Sequence, residues 1–355
     1  MDKPILAAML SCSGLRLTDD EKYLFARYNP LGITLFSRNL QQKEQVASLV
    51  NDIKNVINRD DVLVAVDEEG GRVSRLKSLE NSQYVSAELL GQNSIEYSKY
   101  HAELISAEMR ELGINVNYAP VVDKTTSPQN PVLMGRCFSS NGNDIVKYAS
   151  QMADTYISLG ICPCIKHIPT HFSAISDPHL NSLETDLSVK EIENEIAYLQ
   201  AFQNYPMAMT AHIKIRAMDE DYPVTMSKKV IENLIRKYLE FNGFLLSDAI
   251  DMHALQGNIT HRAILSLDAG VDAVCYCSGV YKDMAAICQE QRFMTENALI
   301  RFAKIKNILH NTSKYINVEY AKKHYNENFS HQQDRQYSYD ATEILNQMLK
   351  KGENL

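Results

Sequence analysis

The stretch Ile161–His179 reads ICPCIKHIPTHFSAISDPH. It opens on an apolar run, Ile161-Cys162-Pro163-Cys164-Ile165, and then sets Lys166 beside His167. Pro169 and His171 follow, and the stretch ends in a polar loop carrying Asp177-Pro178-His179. A short apolar run bounded by proline reads as a buried strand. Basic and imidazole groups at the carboxyl end of such a strand, followed by an Asp-x-His pair, read as a catalytic edge. Parallel α/β proteins do their chemistry at the carboxyl ends of their strands. The plainer reading of the same residues is a strand end followed by a polar surface loop.

Working outward, similar apolar runs recur on both sides. Pro4–Leu10, Gly32–Ser37, Val62–Val66 and Gly113–Val122 precede the stretch, and Ala208–Ile213, Gly243–Ser247 and Val271–Cys277 follow it. Helical patterns separate them. Thr18 with Glu21 forms a capping box. Gln42–Asn58 places Val46, Leu49, Val50, Ile53 and Ile57 on one helical face. Further helices are predicted from Tyr97 to Leu112, over Asp144–Leu159, from the Ser188/Glu191 box toward Tyr205, and over Lys228–Phe241 and His261–Ala269. Strand starts recur every roughly 30 to 50 residues, the scale of one strand plus one crossover helix. Eight such units, with no GxGxxG turn after the first, predict a closed (β/α)8 barrel. With helices from Tyr281 to about Leu309, the barrel domain is expected over 1–309. The remainder, 310–355, is polar and reads as a helical C-terminal extension, with an amphipathic pattern at Tyr339, Ile344, Leu345, Met348 and Leu349. Packing on the barrel is preferred over a partner contact, because amphipathic faces are mostly buried within their own chain.

Composition narrows the function. A net charge of −8 disfavours nucleic-acid binding. The seven cysteines include two C-x-C pairs, Cys162/Cys164 and Cys275/Cys277, each in an apolar run. Strand alternation aims both members of a pair at one face, which favours packed free thiols over zinc. The odd count points to a reducing compartment. The start MDKPILAAMLSCSG lacks a basic n-region and an A-x-A site, and reads as a first strand instead of a signal peptide. No apolar run approaches the ~18 residues that span a membrane. A cytoplasmic protein is expected.

The expected strand ends collect polar groups: Asp67 with Arg75, Arg136 from the next loop, Lys166 and His167, Asp177 and His179, His212, and Asp248. Such a mixture of fixed acceptors, cations and imidazoles suits a polyhydroxylated ligand, whose hydroxyls both donate and accept. A carboxylate held among Lys and Arg stays ionised and can act as a nucleophile. For Asp248 the helix N-cap reading stands equally beside that one.

The chain resembles the bacterial single-domain β-N-acetylhexosaminidases of glycoside hydrolase family 3. Pro30-Leu31-Gly32-Ile33-Thr34-Leu35-Phe36-Ser37-Arg38-Asn39 carries the resemblance, as does Val66-Asp67-Glu68-Glu69-Gly70-Gly71-Arg72-Val73-x-Arg75. So do Tyr118-Ala119-Pro120-Val121-Val122-Asp123, Lys166-His167-Ile168-Pro169, Asp177-Pro178-His179, Met209-Thr210-Ala211-His212 and Leu246-Ser247-Asp248. Their joint order and spacing is specific, from Ile5 to Cys277. The resemblance implies a retaining mechanism with Asp248 as nucleophile and His179 as acid/base, oriented by Asp177. It further implies that Asp67, Arg75, Arg136, Lys166 and His167 bind the N-acetylglucosamine ring, with His212 a further pocket residue. The implied substrate is N-acetylglucosaminyl-β-1,4-anhydro-N-acetylmuramic acid of peptidoglycan recycling, with or without its peptide. No metal or organic cofactor is implied, and a monomer or weak dimer is expected.

The chain departs from the family pattern at several points. Thr170 and Phe172 replace glycines, Pro178 replaces a small hydroxyl residue, Ala249 stands where a second Asp is common, and Cys137 where a Ser is common. Proline fixes φ where glycine leaves it free, so a stiffer loop is expected. Two rivals remain: a weakly active sugar-binding protein, and a class I aldolase using Lys166 as a Schiff base.

Overall fold

A computed structural model describes residues 3–80, 84–125, 133–171, 183–310, 315–330 and 332. Eight strands form a closed parallel barrel. They are β1 (Leu6–Ser11), β2 (Pro30–Leu35), β3 (Leu63–Val66), β4 (Val116–Asn117), β5 (Cys162–Ile168), β6 (Met207–Thr210), β7 (Phe244–Ala249) and β8 (Ala273–Cys275). Each pairs with the next, and β8 closes on β1, with Met9 opposite both Gly32 and Cys275. This is the (β/α)8 architecture expected from the spacing of apolar runs.

The barrel interior is a packed core. Met9, Leu31, Leu63, Val116, Cys162, Cys164, Met207, Phe244, Leu246 and Cys275 share it. Ile161 and Ile165, one position away along β5, instead join the layer between strands and helices. That alternation puts both members of each C-x-C pair inside, and all seven cysteines are free and buried. At Gly32 a Cβ would lie 2.1 Å from the Leu63 carbonyl, so only glycine lets β2 approach β3 this closely.

The helices bury the faces their periodicity indicates. In α1 (Asp19–Tyr28) the Thr18/Glu21 capping box forms, and Leu24 and Phe25 face inward. In α2 (Lys43–Ile57) the stripe Val46, Leu49, Val50, Ile53 and Ile57 is buried. Each such side chain contributes about 1.5–3 kcal/mol. α3 (Glu96–Leu112) ends at Gly113 in the left-handed conformation. α4 (Glu296–Leu309) sends Ala298, Phe302 and Ile305 into the interior cluster, beside Met294. Because Met294 bonds to Ile5 and Phe293 bridges Leu6, this plug closes the amino end of the barrel. The carboxyl end is left for the site.

Some boundaries differ from the sequence reading. β4 is shorter than Gly113–Val122, because Pro120 has no N–H to continue the ladder. Ile213 leaves β6 and begins Ile213–Ile215, which pairs with Leu183–Thr185 outside the barrel. The segment 281–309 divides into Tyr281–Gln289 and α4, with the Met294 plug between them. After Lys228–Val230 the chain widens into a π-helical segment, Ile231–Tyr238. Beyond residue 310, α5 (Val318–Phe329) packs against α3 through Ala321, Tyr325 and Phe329, a spacing the sequence reading passed over. The amphipathic pattern at 339–349 lies outside the described residues.

Candidate active site

At the end of β3 the chain makes Asp67 and then a hairpin, Glu68–Gly70 against Val73–Ser74. Alternation along this extended stretch gives Asp67 and Glu69 the same side. Both reach Lys166 from β5, whose Nζ lies 2.6 Å from Asp67 Oδ1 and 2.6 Å from Glu69 Oε1. Arg136 forks onto Glu69, Nε to Oε2 and Nη2 to Oε1, each at 2.8 Å. Arg75 approaches Asp67 at 3.9 Å. The result is one chain of alternating charge: Arg75, Asp67, Lys166, Glu69, Arg136.

Burial pushes the Glu69 carboxyl up, but Arg136 and Lys166 outweigh it and hold it far below the usual carboxylate range. Burial likewise lowers Lys166, but Asp67 and Glu69 reverse this and leave its pKa raised. An ammonium held protonated in this way is a poor Schiff-base nucleophile, which removes the main support for the aldolase reading.

A second cluster forms around Asp123, just past β4. Its Oδ2 accepts from the His167 backbone N–H at 3.0 Å and pairs with His167 Nδ1 at 2.7 Å. Its Oδ1 does the same for His171, at 2.7 Å and 3.1 Å. The rings of His167 and His171 meet edge to face at 4.4 Å. Burial pushes Asp123 up, but the two imidazoles and their hydrogen bonds hold it well below its ordinary value. An ionised carboxylate only accepts, so each ring carries its proton on Nδ1. Burial and His171 together lower His167 to about 4, against the pull of Asp123. The neutral ring therefore leaves Nε2 as an acceptor. Among the described residues Asp123, His167 and His171 are the group whose atoms, within 4.8 Å of one another, could hold a metal ion. Their two nitrogens and one carboxylate suit zinc in kind. With each Nδ1 engaged by Asp123, an ion would be reached through the Nε2 atoms, and Asp123 would orient the two rings from behind.

The third group lies on β7. Phe244 and Leu246 point into the barrel, and between Leu246 and Ala249 the register with β8 shifts, which leaves Asp248 at the mouth beside His212 and His167. Asp248 Oδ1 accepts from the Ala249 N–H at 2.7 Å, and the Asp248 N–H donates to Thr210 Oγ1 at 3.3 Å. No helix follows Asp248 directly in the chain, so the N-cap reading is set aside. Burial raises the carboxyl, but His212, His167 and the Ala249 amide outweigh it and hold it at about 2.

His212 has both nitrogens engaged, Nδ1 with Thr225 Oγ1 at 2.7 Å and Nε2 with the Ala249 carbonyl at 2.9 Å. A carbonyl only accepts, so Nε2 carries the proton. The ring braces the end of β7.

The expected site residues Asp67, Arg75, Arg136 and Lys166 thus form one ionic chain. His167 and Asp248 sit close enough that each shifts the other's titration, and His212 braces Asp248 from behind. Asp177 and His179 lie outside the described residues, as do Phe172 and Pro178. Thr170 is buried with φ of 137°, in the region that favours glycine. Two residues given no role in the sequence reading prove central, Glu69 and Asp123. The i, i+2 spacing of Glu69 from Asp67, and the strand-end place of Asp123, were the available signals.

A closed barrel with this carboxylate, cation and imidazole rim fits the class of sugar-cleaving hydrolases. The sequence profile of the glycosyl hydrolase family 3 N terminal domain matches residues 6–306. The chain belongs to that family, and within it to the β-hexosaminidase type. It is 31% identical over 277 residues to a β-hexosaminidase of Photobacterium profundum, covering 76% of this chain and 81% of that protein. It is 30% identical over 275 residues to β-hexosaminidase A of Pseudoalteromonas piscicida, covering 70% of this chain but only 46% of that longer protein. Among solved structures, NagZ from Neisseria gonorrhoeae in complex with N-trifluoroacetyl-D-glucosamine superposes with a TM-score of 0.78 at 25% identity. That match covers 90% of this chain and 97% of the other.

Proposed function

We propose that this chain is a retaining exo-β-N-acetylglucosaminidase. The observation that carries the reading is Asp248, an ionised carboxylate at the end of β7 beside His167 and His212, at the same carboxyl end of the barrel as the Asp67–Lys166–Glu69–Arg136 chain. In this reading the ionic chain and His167 Nε2 hold the terminal sugar by its hydroxyls. Asp248 attacks the anomeric carbon, and the aglycone oxygen leaves with a proton from His179. The resulting glycosyl ester is cleaved by a water that His179 deprotonates, with Asp177 orienting the imidazole. Two displacements at one carbon return the original configuration. The roles of His179 and Asp177 rest on the motif alone. NagZ of N. gonorrhoeae was solved with an N-acylated glucosamine, which supports N-acetylglucosamine as the sugar. The aglycone we propose is anhydro-N-acetylmuramic acid, with or without peptide, met in the cytoplasm during peptidoglycan recycling. No helix among the described residues is long and apolar enough to cross a membrane, which is compatible with that location.

The test compares an aryl β-N-acetylglucosaminide with the matching β-glucoside. The first should be turned over and the second hardly at all. Asp248→Ala should remove turnover, since losing the covalent route costs several kcal/mol of barrier, about 10³-fold or more. A folded variant keeping a tenth of the activity places the nucleophile elsewhere.

A further inference from the structure

α5 lies beyond the residues that match the family profile, which end at 306. It nevertheless reaches the back of the sugar site. Tyr325, buried, accepts a hydrogen bond from the Val85 N–H at 2.8 Å and sits 3.0 Å from His101 Nδ1. Val85 and His101 in turn press on the Gly70-Gly71 turn. A Cβ on Gly70 would stand 2.3 Å from the Val85 carbonyl and 2.8 Å from His101 Cε1. One residue on, the Gly71 N–H donates to the Tyr84 carbonyl at 2.7 Å. Ser86 lies against Gly71 so closely that a Cβ there would meet the serine Cβ at 2.8 Å. Gly70 has φ of 84° and Gly71 of 58°, so this turn is one that glycine alone adopts without strain. It directly follows Glu69, the carboxylate shared by Lys166 and Arg136.

We infer that Tyr325 is a positioning residue for sugar binding: through Val85 and His101 it seats the Gly70-Gly71 turn and so fixes Glu69 between Lys166 and Arg136. The C-terminal helix is thereby part of the sugar site's support. Rings anchor it along α3, with Phe329 at 5.2 Å from Tyr97 and Tyr325 at 5.9 Å from His101. Phe329 touches Tyr97 of α3, N-terminal to His101, and the Tyr325 ring at 4.8 Å, so Phe329→Leu disturbs the packing around Tyr325 while its hydroxyl stays, a control for packing alone. Asp248 stands on β7, apart from this relay, so the nucleophile should be unaffected.

This inference rests on the sugar-binding reading above, and the experiment separates the two. Tyr325→Phe keeps the ring and removes the hydroxyl. In the full chain it should raise KM for the aryl N-acetylglucosaminide about five- to tenfold, the worth of one buried hydrogen bond, with kcat within about twofold. Phe329→Leu should lower Tm comparably but leave KM unchanged. Hydrogen exchange at the Gly71 amide should quicken in Tyr325→Phe and not in Phe329→Leu, a readout that needs no activity. If the parent protein fails to cleave the substrate, the functional reading falls while the exchange result still judges Tyr325. An unchanged KM and Gly71 exchange in Tyr325→Phe overturn the inference, as does an equal KM rise in both variants. Should Tyr325→Phe not fold, Tyr325→Met fills the space without the hydroxyl and is judged by the same comparison.

Discussion

Glu69 is the residue on which most of the site's electrostatics converges. It accepts a fork from Arg136 and pairs with Lys166 while almost wholly shielded from water. Breaking a buried pair strands the remaining charges, which costs about 3–5 kcal/mol. Glu69→Gln should therefore lose about 3 kcal/mol of stability in urea at pH 7 and raise KM. Its depressed carboxyl contributes stability that is present above the unfolded value of about 4.3 and lost as pH falls below it. The gap between parent and Glu69→Gln should then start to narrow near pH 4 and keep narrowing as pH falls further toward the depressed folded value, and a gap that stays constant over that range would contradict the charge argument. Thr170 is a second special position. A β-branched residue at φ of 137° stores about 1–3 kcal/mol of strain. Thr170→Gly relieves it at the expense of about 1 kcal/mol of unfolded-state entropy. A gain of up to about 2 kcal/mol in thermal unfolding is expected, and a loss would mean that the Thr170 contacts outweigh its backbone strain. Thr170 stood out in sequence as the replacement of a family glycine, whereas Glu69 did not stand out. Glu69 was one of three consecutive acids, and nothing local says which of them meets a cation folded in from β5.

At the scale of elements, β7 joins the core to the chemistry. Phe244, fully buried, faces the interior near Phe302 of α4, and Asp248 lies four residues along, past the register shift at the end of the strand. Phe244→Ala should cost about 3–5 kcal/mol, read as a fall in the urea midpoint at an unchanged denaturant slope. A loss under 1 kcal/mol would mean that the interior collapses around the gap. The strands themselves were legible, because an apolar run flanked by helical periodicity has one economical reading. Their ends were less so. Ile213 continues the apolar run of β6, yet it pairs with Leu183. The partner that ends a strand is remote in sequence and absent from any local pattern. A helical extension was expected here, but the buried stripe of α5 was not singled out, for a related reason: Ala321, Tyr325 and Phe329 form a narrow stripe in a polar segment, and α3 supplies the aromatic surface that makes it a buried face.

For the whole molecule, buried neutral histidines set the response to acid. Burial lowers His101 to about 3 against the pull of the Glu69 carbonyl, and burial with His171 lowers His167 to about 4. Burial lowers His212 as well, against Asp248. In the unfolded chain all three titrate near 6.5. Between that value and about 4 the unfolded state binds more protons, so stability rises with pH across the window and falls on acidification. Glu68, which burial raises to about 7, acts oppositely, since its proton is kept in the fold and lost on unfolding above about 4.3. Three sites against one leave the histidines dominant. Tm should drop steadily from pH 7 to pH 5, and a flat profile would mean that these rings are protonated in the fold.

The sequence by itself determined the barrel, the order of its strands and the polar residues at their carboxyl ends. Those features follow from periodicity and from chain direction, which are local properties. It also marked Asp67, Arg75, Arg136, Lys166, His167, His212 and Asp248 as one set, through motifs whose spacing survives in the chain. Only the tertiary structure decided what each does beside its neighbours. It turned His212 from a pocket residue into a brace with both nitrogens spent. It made Asp123 the shared acceptor of two imidazoles and Glu69 the pivot of two cations. It also brought Tyr325 to the back of the sugar site. The physical reason is that hydrogen bonds and ion pairs act over about 3 Å in space, whereas these partners are separated by tens to hundreds of residues along the chain.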